Sequence, residues 1–184
     1  MTSKTSVENF PVRTAIDPAA LKLKIHDLFA NQWLLLTAGD FKTGRYNTMT
    51  IAWGSIGTMW HKPFVQVVVR PQRHTRKFMD EFQSFSVCAF PPDCHSALQL
   101  LGSKSGRDGN KIAEAGLTPV AATVVGAPVF AEAELAIECQ MMYWQDMDPK
   151  GFVGPVGAVN YPAKDFHRIY FGEIVAIGGT AAYA

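Results

Sequence analysis

The chain has 184 residues, of which 48% are hydrophobic and 18% charged, and this balance is typical of one globular domain that buries its own core. With 17 basic and 16 acidic residues, the net charge of +1 excludes a bulk electrostatic attraction to nucleic acid or to an anionic membrane. The sequence has no apolar run near the roughly 20 residues of a membrane helix and no signal peptide, so we predict a cytoplasmic protein with one domain over residues 1–184.

The first half of the chain is predicted to combine two helices with a series of strands. Asp17 followed by Pro18 is a typical helix start and predicts a helix over residues 17–29. Thr75 is the predicted N-cap of a second helix over residues 76–82. Runs of β-branched and aromatic residues predict strands over residues 33–38, 48–53, 55–59, 64–69 and 84–90.

The second half continues the same pattern. Asp93 is the predicted cap of a helix that ends at Leu101, and a polar, glycine-rich loop over residues 102–110 leads to a short helix over 111–115, which Gly116 ends. The segment 145–165 is predicted as a loop, and strands are predicted over residues 120–125, 131–143 and 168–177. Because strands follow one another with helices inserted, the pattern favours a mainly β fold, an antiparallel barrel, over a doubly wound parallel sheet.

The common catalytic motifs and metal patterns are missing from the sequence. It contains no Gly-x-Gly-x-x-Gly after a strand, no P-loop, no Gly-x-Ser-x-Gly and no His-x-x-x-His. The three cysteines, Cys88, Cys94 and Cys139, have spacings that match no zinc site. We therefore predict reduced thiols and no metal site.

Basic and aromatic residues point to a small anionic ligand with a flat ring. Between Asp40 and Asp80 the chain carries seven basic residues and no acidic one, together with Trp53 and Trp60. Near the end of that stretch, a helix start beside Arg73, His74 and Thr75 is a sound site for a phosphate. The polar strand 47–53 is suited to a ring's heteroatoms, and the loop 104–107, with its two cations, is suited to close over the same anion.

Four motifs, in this order, carry a resemblance to a known family. They are Asn47-Thr-Met-Thr-Ile-Ala-Trp53, Arg70-Pro-Gln-Arg-His-Thr75, Ser105-Gly-Arg-Asp-Gly-Asn-Lys111, and His167 with Gly172-Glu-Ile-Val175. From about Trp33 to Ile177 the sequence resembles the flavin reductase-like family, and within it the flavoredoxin-like branch. The resemblance implies an FMN-binding split β-barrel of antiparallel Greek-key type, and a homodimer with FMN at the subunit interface.

The same resemblance implies roles for individual residues. It places the strand residues Asn47, Thr48, Met49 and Thr50, with Ala52 and Trp53 of the same motif, along the flavin and its ribityl chain. At the ribityl and phosphate end it implies Arg70, Arg73, His74 and Thr75, and in the bordering loop Lys104, Ser105, Gly106, Arg107 and Lys111. His167 is implied as the catalytic residue, on the nicotinamide side. The pair Gly109-Asn110 departs from the family, where many members have an acidic residue before the lysine.

Several functions remain open at this point. The leading hypothesis is an FMN-dependent oxidoreductase that takes hydride from NAD(P)H, with NAD(P)H as a transient donor. The alternative is a flavoredoxin-like electron carrier that exchanges electrons with protein redox partners. A pyridoxine-phosphate-oxidase-like enzyme and a non-catalytic FMN sensor are remoter readings. The stretch 141–144 and the loop through Tyr161 are candidate segments of the dimer interface, because aromatic residues and Met are enriched in interface cores. The stretch 141–144 is equally consistent with the buried end of a strand.

Overall fold

A computed structural model describes residues 10–184 and shows one large antiparallel sheet with short helices around it. The strands are β1 (Thr14–Ala15), β2 (Leu34–Asp40), β3 (Arg45–Ile51), β4 (Gly54–Met59), β5 (Lys62–Val69), β6 (Ser84–Ala89), β7 (Pro119–Val120), β8 (Val129–Phe130), β9 (Leu135–Asp146) and β10 (Arg168–Gly179). The sheet runs in the order β3-β2-β6-β9-β10-β5-β4, and β1 pairs with β10. A small second sheet pairs β7 with β8. The predicted mainly β, antiparallel fold is confirmed.

Five short helices complete the architecture. They are α1 (Ile25–Asp27), which continues as a π-helical turn over Leu28–Gln32, α2 (Thr75–Glu81), α3 (His95–Ser103), α4 (Lys111–Glu114) and α5 (Val156–Asn160). Within residues 10–184, no helix is long and apolar enough to cross a membrane. The same residues hold no cluster of side chains suited to a metal ion.

The core has two parts because side chains of the central strands alternate between the faces of the sheet. Leu34 and Leu36 of β2 point into the larger cluster, which Phe85, Val67 and others fill, whereas Leu35 points the other way. On that second side, α3 packs its buried leucines against the sheet. Side chains of β5 and β10 belong to the larger cluster, which holds these two strands in place. Helix α3 packs on the opposite face of β2 and β3.

The predicted helix over residues 17–29 is wrong over residues 17–24 and confirmed over 25–29, where α1 and the π-helical turn lie. Asp17 does accept a hydrogen bond from the Ala19 N–H at 2.8 Å, but it closes only a turn, and the helix begins at Ile25. Leu21 and Leu23 pack against the core while the lysines between and after them are exposed. Since this alternation has a period of two, the segment is extended rather than helical.

Two further predictions at helix starts are corrected by the structure. Helix α2 includes Thr75, whose hydroxyl accepts a hydrogen bond from Asn47 on β3 and does not cap the helix. Helix α3 begins at His95 after a 3₁₀ turn over Pro92–Cys94, and Asp93 makes no cap hydrogen bond. The prediction that Gly116 ends α4 is confirmed, since its φ of 69° is one that glycine adopts freely.

The predicted strand over residues 120–125 is mostly wrong. Only Pro119–Val120 pairs with another strand, in β7. The N–H groups of Thr123, Val124 and Val125 instead donate to the carboxylate of Glu138, at 2.8, 2.7 and 3.1 Å. A buried carboxylate that accepts several N–H groups competes with a strand ladder for the same donors, and here it replaces the ladder. The predicted strand over residues 131–143 corresponds to β9, which begins later, at Leu135, and ends later, at Asp146.

The other strand predictions are confirmed with small shifts. Strand β3 begins earlier than predicted and leaves Ala52 and Trp53 as a two-residue link to β4. The predicted loop 145–165 contains the short helix α5.

Candidate functional site

Two adjoining clefts lie where β3, the end of β5, α2 and α3 meet. The first, which we call the aromatic cleft, has a volume of about 240 Å³ and is lined by Met49, Thr50, Ile51, Ala52, Trp53, Val68, Arg70, Arg73 and His167. The second, the cationic cleft, has a volume of about 300 Å³ and is lined by Asn47, Met49, Gln72, Arg73, His74, Thr75, Leu101, Ser103, Lys104, Ser105, Gly106, Arg107 and Lys111. Met49 and Arg73 line both, so one elongated ligand can occupy the two together.

The cationic cleft carries an unbalanced positive charge. Its lining includes Arg73, Lys104, Arg107 and Lys111 and no carboxylate. Lys104 is neutralised, because its ammonium forms an ion pair with Glu114 on α4. Arg73 donates to the carbonyl oxygen of Gly102 at 2.9 Å, and Arg107 donates to that of Gln72 at 3.3 Å, so both guanidinium groups keep their charge and most of their donors. Such a cleft favours an anion.

Lys111 is the most unusual cation of this cleft because it is buried. Only 4% of the residue is exposed, and its Nζ donates to the carbonyl oxygens of Leu101 and Lys104 at 2.8 and 2.9 Å. An ammonium has three donors, so one remains for a ligand. Burial, assisted by the charge of Arg73, lowers the pKa of Lys111 to about 8. Asn110 holds the lysine in place, because its side chain caps α4 by accepting from the Ala113 N–H.

His74 presents an unsatisfied polar atom at the same cleft. Its Nδ1 is buried and has no hydrogen-bond partner among residues 10–184. Burial and the nearby charges of Arg107, Lys77 and Lys111 lower the pKa of His74, which favours the neutral ring. Because buried polar atoms are nearly always paired, this nitrogen is available to a polar atom of a ligand.

The loop between α3 and α4 closes tightly over β3. Asn47 donates from Nδ2 to the Thr75 hydroxyl at 2.7 Å, which links β3 to α2. Gly106 lies so close that a Cβ at this position would be 2.0 Å from Oδ1 of Asn47. Only glycine allows this approach, and the width of the cationic cleft is therefore set by Asn47, Thr75 and Gly106 together.

The aromatic cleft is bordered by Trp53 and His167. Trp53 is 47% exposed, and its ring centroid lies 5.3 Å from that of His167. His167 is 7% exposed, and its Nδ1 lies 2.7 Å from the hydroxyl oxygen of Tyr161. Burial, together with the charge of Arg70, lowers the pKa of His167 to about 4, so the ring is neutral at physiological pH. The apolar side chains of Met49 and Val68 complete a surface suited to a flat ring.

The structure brings together all of the predicted site residues except one. Thr48 lies outside both clefts: it is fully buried between β2 and β3, and its hydroxyl bonds to Thr37 and to the carbonyl oxygen of Leu36. Thr50 lines the aromatic cleft but donates its hydroxyl proton to the carbonyl oxygen of Leu98 on α3.

Arg70 borders the aromatic cleft but is held by a segment that the sequence analysis predicted as a loop. Its guanidinium forms an ion pair with Asp165, donates to the carbonyl oxygen of Asn160 at 2.9 Å and lies 5.0 Å from the centre of the Tyr161 ring. Sequence reasoning placed Arg70 at the phosphate end and missed the roles of Tyr161 and Asp165. The only signal for Tyr161 was its position six residues before His167.

Comparison with known proteins assigns the chain to a family. Residues 26–181 match the family model described as the flavin reductase like domain. An uncharacterized protein of Aeropyrum pernix is 33% identical over 125 residues, which cover 67% of this chain and 47% of that protein. The chain thus spans about half the length of this curated relative.

Two solved structures show the same architecture. The FMN-binding domain of a flavin reductases-like enzyme from Shewanella baltica OS155 has a TM-score of 0.66 at 17% identity, covering 92% of this chain and 78% of that one. The flavoredoxin of Desulfovibrio vulgaris (Miyazaki F) has a TM-score of 0.63 at 20% identity, covering 99% of this chain and 78% of that one. The predicted split β-barrel fold is confirmed by these likenesses.

Proposed function

Because this chain belongs to the flavin reductase-like family, we propose that it binds FMN and acts as an NAD(P)H-dependent oxidoreductase. One observation carries the proposal: a cleft lined by cations without a carboxylate opens into a cleft lined by aromatic and apolar side chains, and the two share Met49 and Arg73. FMN has the matching shape, a flat ring joined through a short chain to a phosphate.

The phosphate is assigned to the cationic cleft on the evidence of side chains. Arg73, Arg107 and Lys111 supply charge-assisted donors, and Nδ1 of His74 supplies an unsatisfied polar atom. We do not assign the phosphate to the start of α2, because that helix has only seven residues and the Arg76 N–H is already bonded to the carbonyl oxygen of Arg73.

The flavin ring is assigned to the aromatic cleft. When bound there, FMN supplies the hydride and electron chemistry, and the chain supplies binding and orientation. Met49 and Val68 give apolar contacts, and Arg73 at the junction fixes the direction in which the ligand lies. Trp53 is half exposed beside His167 and offers a flat surface on which a nicotinamide can stack.

The pairing of the cations between Asp40 and Asp80 bears on the alternative functions. A pyridoxine-phosphate-oxidase-like enzyme needs a second phosphate site, for which the cations between Asp40 and Asp80 were candidates. Four of these cations are engaged in ion pairs with carboxylates: Arg45, Lys62, Arg70 and Arg76. This pairing argues against a second phosphate site and favours a ligand with one phosphate.

We also propose a homodimer with FMN near the subunit interface. The exposed rings of Trp60 and Tyr143 pack together beside Phe171, and Trp144 is exposed on the opposite face of β9; exposed aromatic side chains of this kind are common in interface cores. Tyr161, in contrast, is 5% exposed within one chain, so the structure favours the stretch 141–144 over the loop through Tyr161 as the contact. A 20.2 kDa species in sedimentation with FMN bound would contradict the dimer.

The experiment that tests the function has two parts. Titration with FMN and riboflavin should show micromolar or tighter binding of FMN and clearly weaker binding of riboflavin, since the cationic cleft recognises only the phosphate. Anaerobic addition of NADH or NADPH should then bleach the flavin absorbance rapidly. Tight FMN binding without bleaching by either nucleotide would identify an electron carrier instead, and failure to bind FMN would refute the proposal.

A further inference from the structure

The segment between β9 and β10 places a buried tyrosine against His167. Tyr161 follows α5 directly, and its ring packs against Phe152 and Phe166, with centroids 5.5 and 5.0 Å away. Arg70, which directly follows β5, covers the ring and is itself held by Asp165. The hydroxyl of Tyr161 is therefore fixed in position next to the imidazole.

The direction of the hydrogen bond follows from the partners of this hydroxyl. Its oxygen lies 2.7 Å from Nδ1 of His167 and 3.3 Å from Sδ of Met147. A tyrosine has one hydroxyl proton, and a neutral imidazole nitrogen is a much stronger acceptor than a thioether sulfur. The guanidinium of Arg70 over the ring draws electron density from the phenol, which makes the hydroxyl a better donor and a poorer acceptor. The hydroxyl thus donates to Nδ1.

The second ring nitrogen of His167 then has a defined state. A neutral imidazole carries one proton, so when Nδ1 accepts, Nε2 holds the N–H. Burial and Arg70 keep the ring neutral, with Arg73 acting in the same direction and Asp165 opposing them. Nε2 makes no hydrogen bond with any residue between 10 and 184, and His167 lines the aromatic cleft.

We propose that Tyr161 is a positioning residue that keeps the proton of His167 on Nε2, so that the histidine meets a ligand in the aromatic cleft as a hydrogen-bond donor to a carbonyl oxygen. The carboxamide oxygen of a nicotinamide is such an acceptor, and this choice of ligand rests on the proposed function. His167 does not act as a proton acceptor in this arrangement, because its free nitrogen already carries a hydrogen.

The tautomer is tested on the flavin-free protein, independently of any activity. Nitrogen NMR of the protein labelled in its histidines should show a protonated Nε2 and an unprotonated Nδ1 for His167. Tyr161→Phe keeps the ring packing and removes the hydroxyl, so it should give a mixture of both tautomers and a higher pKa for His167. Tyr46→Phe is the matched control, since Tyr46 lines neither cleft and its hydroxyl has no hydrogen-bond partner among the described residues, and it should change neither signal. A protonated Nδ1 in the unmodified protein, with the Tyr161 hydroxyl turned to Met147, would overturn the inference.

The consequence for the ligand is tested with a double-mutant cycle on the FMN-loaded protein. Tyr161→Phe should raise KM for the nicotinamide about tenfold while the affinity for FMN is unchanged. His167→Gln keeps an N–H donor near the position of Nε2 and should retain part of the activity. In the His167→Gln background, Tyr161→Phe should add no further loss, because the tyrosine acts through the histidine. Additive losses would show that Tyr161 acts independently and would refute the positioning role. A protein that binds no FMN would refute the proposed function, while the NMR experiment would still decide the tautomer.

Discussion

Gly106 and Asn47 are in direct contact, and a Cβ on Gly106 would lie 2.0 Å from Oδ1 of the Asn47 amide. The glycine belongs to the loop that carries Arg107, whereas the asparagine belongs to the middle of β3. Their contact joins a polar loop to a strand of the sheet. The position of the Arg107 backbone therefore depends on the absence of a Cβ at residue 106.

We predict that Gly106→Ala weakens FMN binding by at least about tenfold. The added methyl group must push the loop away from Asn47, and Arg107 moves with the loop. The melting temperature should change little, because the loop is largely exposed. Gly151→Ala is the control, since a Cβ there meets nothing within 4 Å, and it should leave FMN affinity unchanged. Equal affinity of the two variants, measured by fluorescence titration, would contradict the closed loop.

Arg73→Ala is predicted to separate phosphate binding from ring binding. A charge-assisted hydrogen bond contributes on the order of 1.5 to 3 kcal/mol, so FMN affinity should fall by roughly ten- to a hundredfold, with a much smaller loss for riboflavin. Lys77→Ala removes an exposed charge nearby that lines neither cleft, and it controls for the change in net charge. An equal loss for both ligands in Arg73→Ala would mean that the guanidinium acts on the ring or on the fold, and not on the phosphate.

We predict that the affinity for FMN depends on pH through the protonation of Lys111. Its pKa of about 8 in the free protein means that the ammonium loses its proton above that pH, whereas a bound phosphate holds the proton on. Affinity should therefore be nearly constant from about pH 7 to 8 and fall above it, by up to about tenfold per pH unit. Riboflavin should show no such fall, and Lys111→Met should weaken FMN binding and remove the dependence. A fall of the same size for riboflavin would exclude Lys111 as its origin.

Gly172→Ala is predicted to destabilise the fold without a specific effect on ligands. A Cβ at this position would lie 2.5 Å from Cε1 of Phe85 and 2.8 Å from Cβ of Cys139, all within the core. Overpacking of this kind costs about 1–3 kcal/mol, which should lower the free energy of unfolding in urea. Gly151→Ala should leave that free energy unchanged. A stable Gly172→Ala variant would show that β10 can shift along β9 at the irregular pairing next to Gly172.

The strands could be predicted from the sequence because their signal is local. The run over β5, with β-branched residues in succession, is buried on both faces, which is the setting that such residues favour. The start of the chain misled the same reasoning, since Asp17 and Pro18 are typical of a helix while Leu21 and Leu23 already have the spacing of an extended segment. Two local signals conflicted there, and packing against the core decided between them.

The candidate site was predictable as a set of residues and not as an arrangement. The motifs around Asn47, Arg73 and Lys111 identified cations and polar groups, and the sequence alone pointed to an anionic ligand with a ring. The sequence could not show that Thr75 is bonded to an asparagine 28 residues away, or that Arg70 is paired with Asp165, 95 residues away. Those partners are fixed only when the sheet has formed.

The sequence by itself thus determined the class of fold and, with its resemblance to a known family, predicted most of the residues that line the two clefts. Only the tertiary structure decided which cations are free for a phosphate, that Lys111 is buried, that Thr48 faces the interior and that Tyr161 bonds to His167. The physical reason is that strand and turn preferences depend on neighbours within a few residues, whereas the charge, burial and protonation of a side chain depend on whatever the folded chain brings against it.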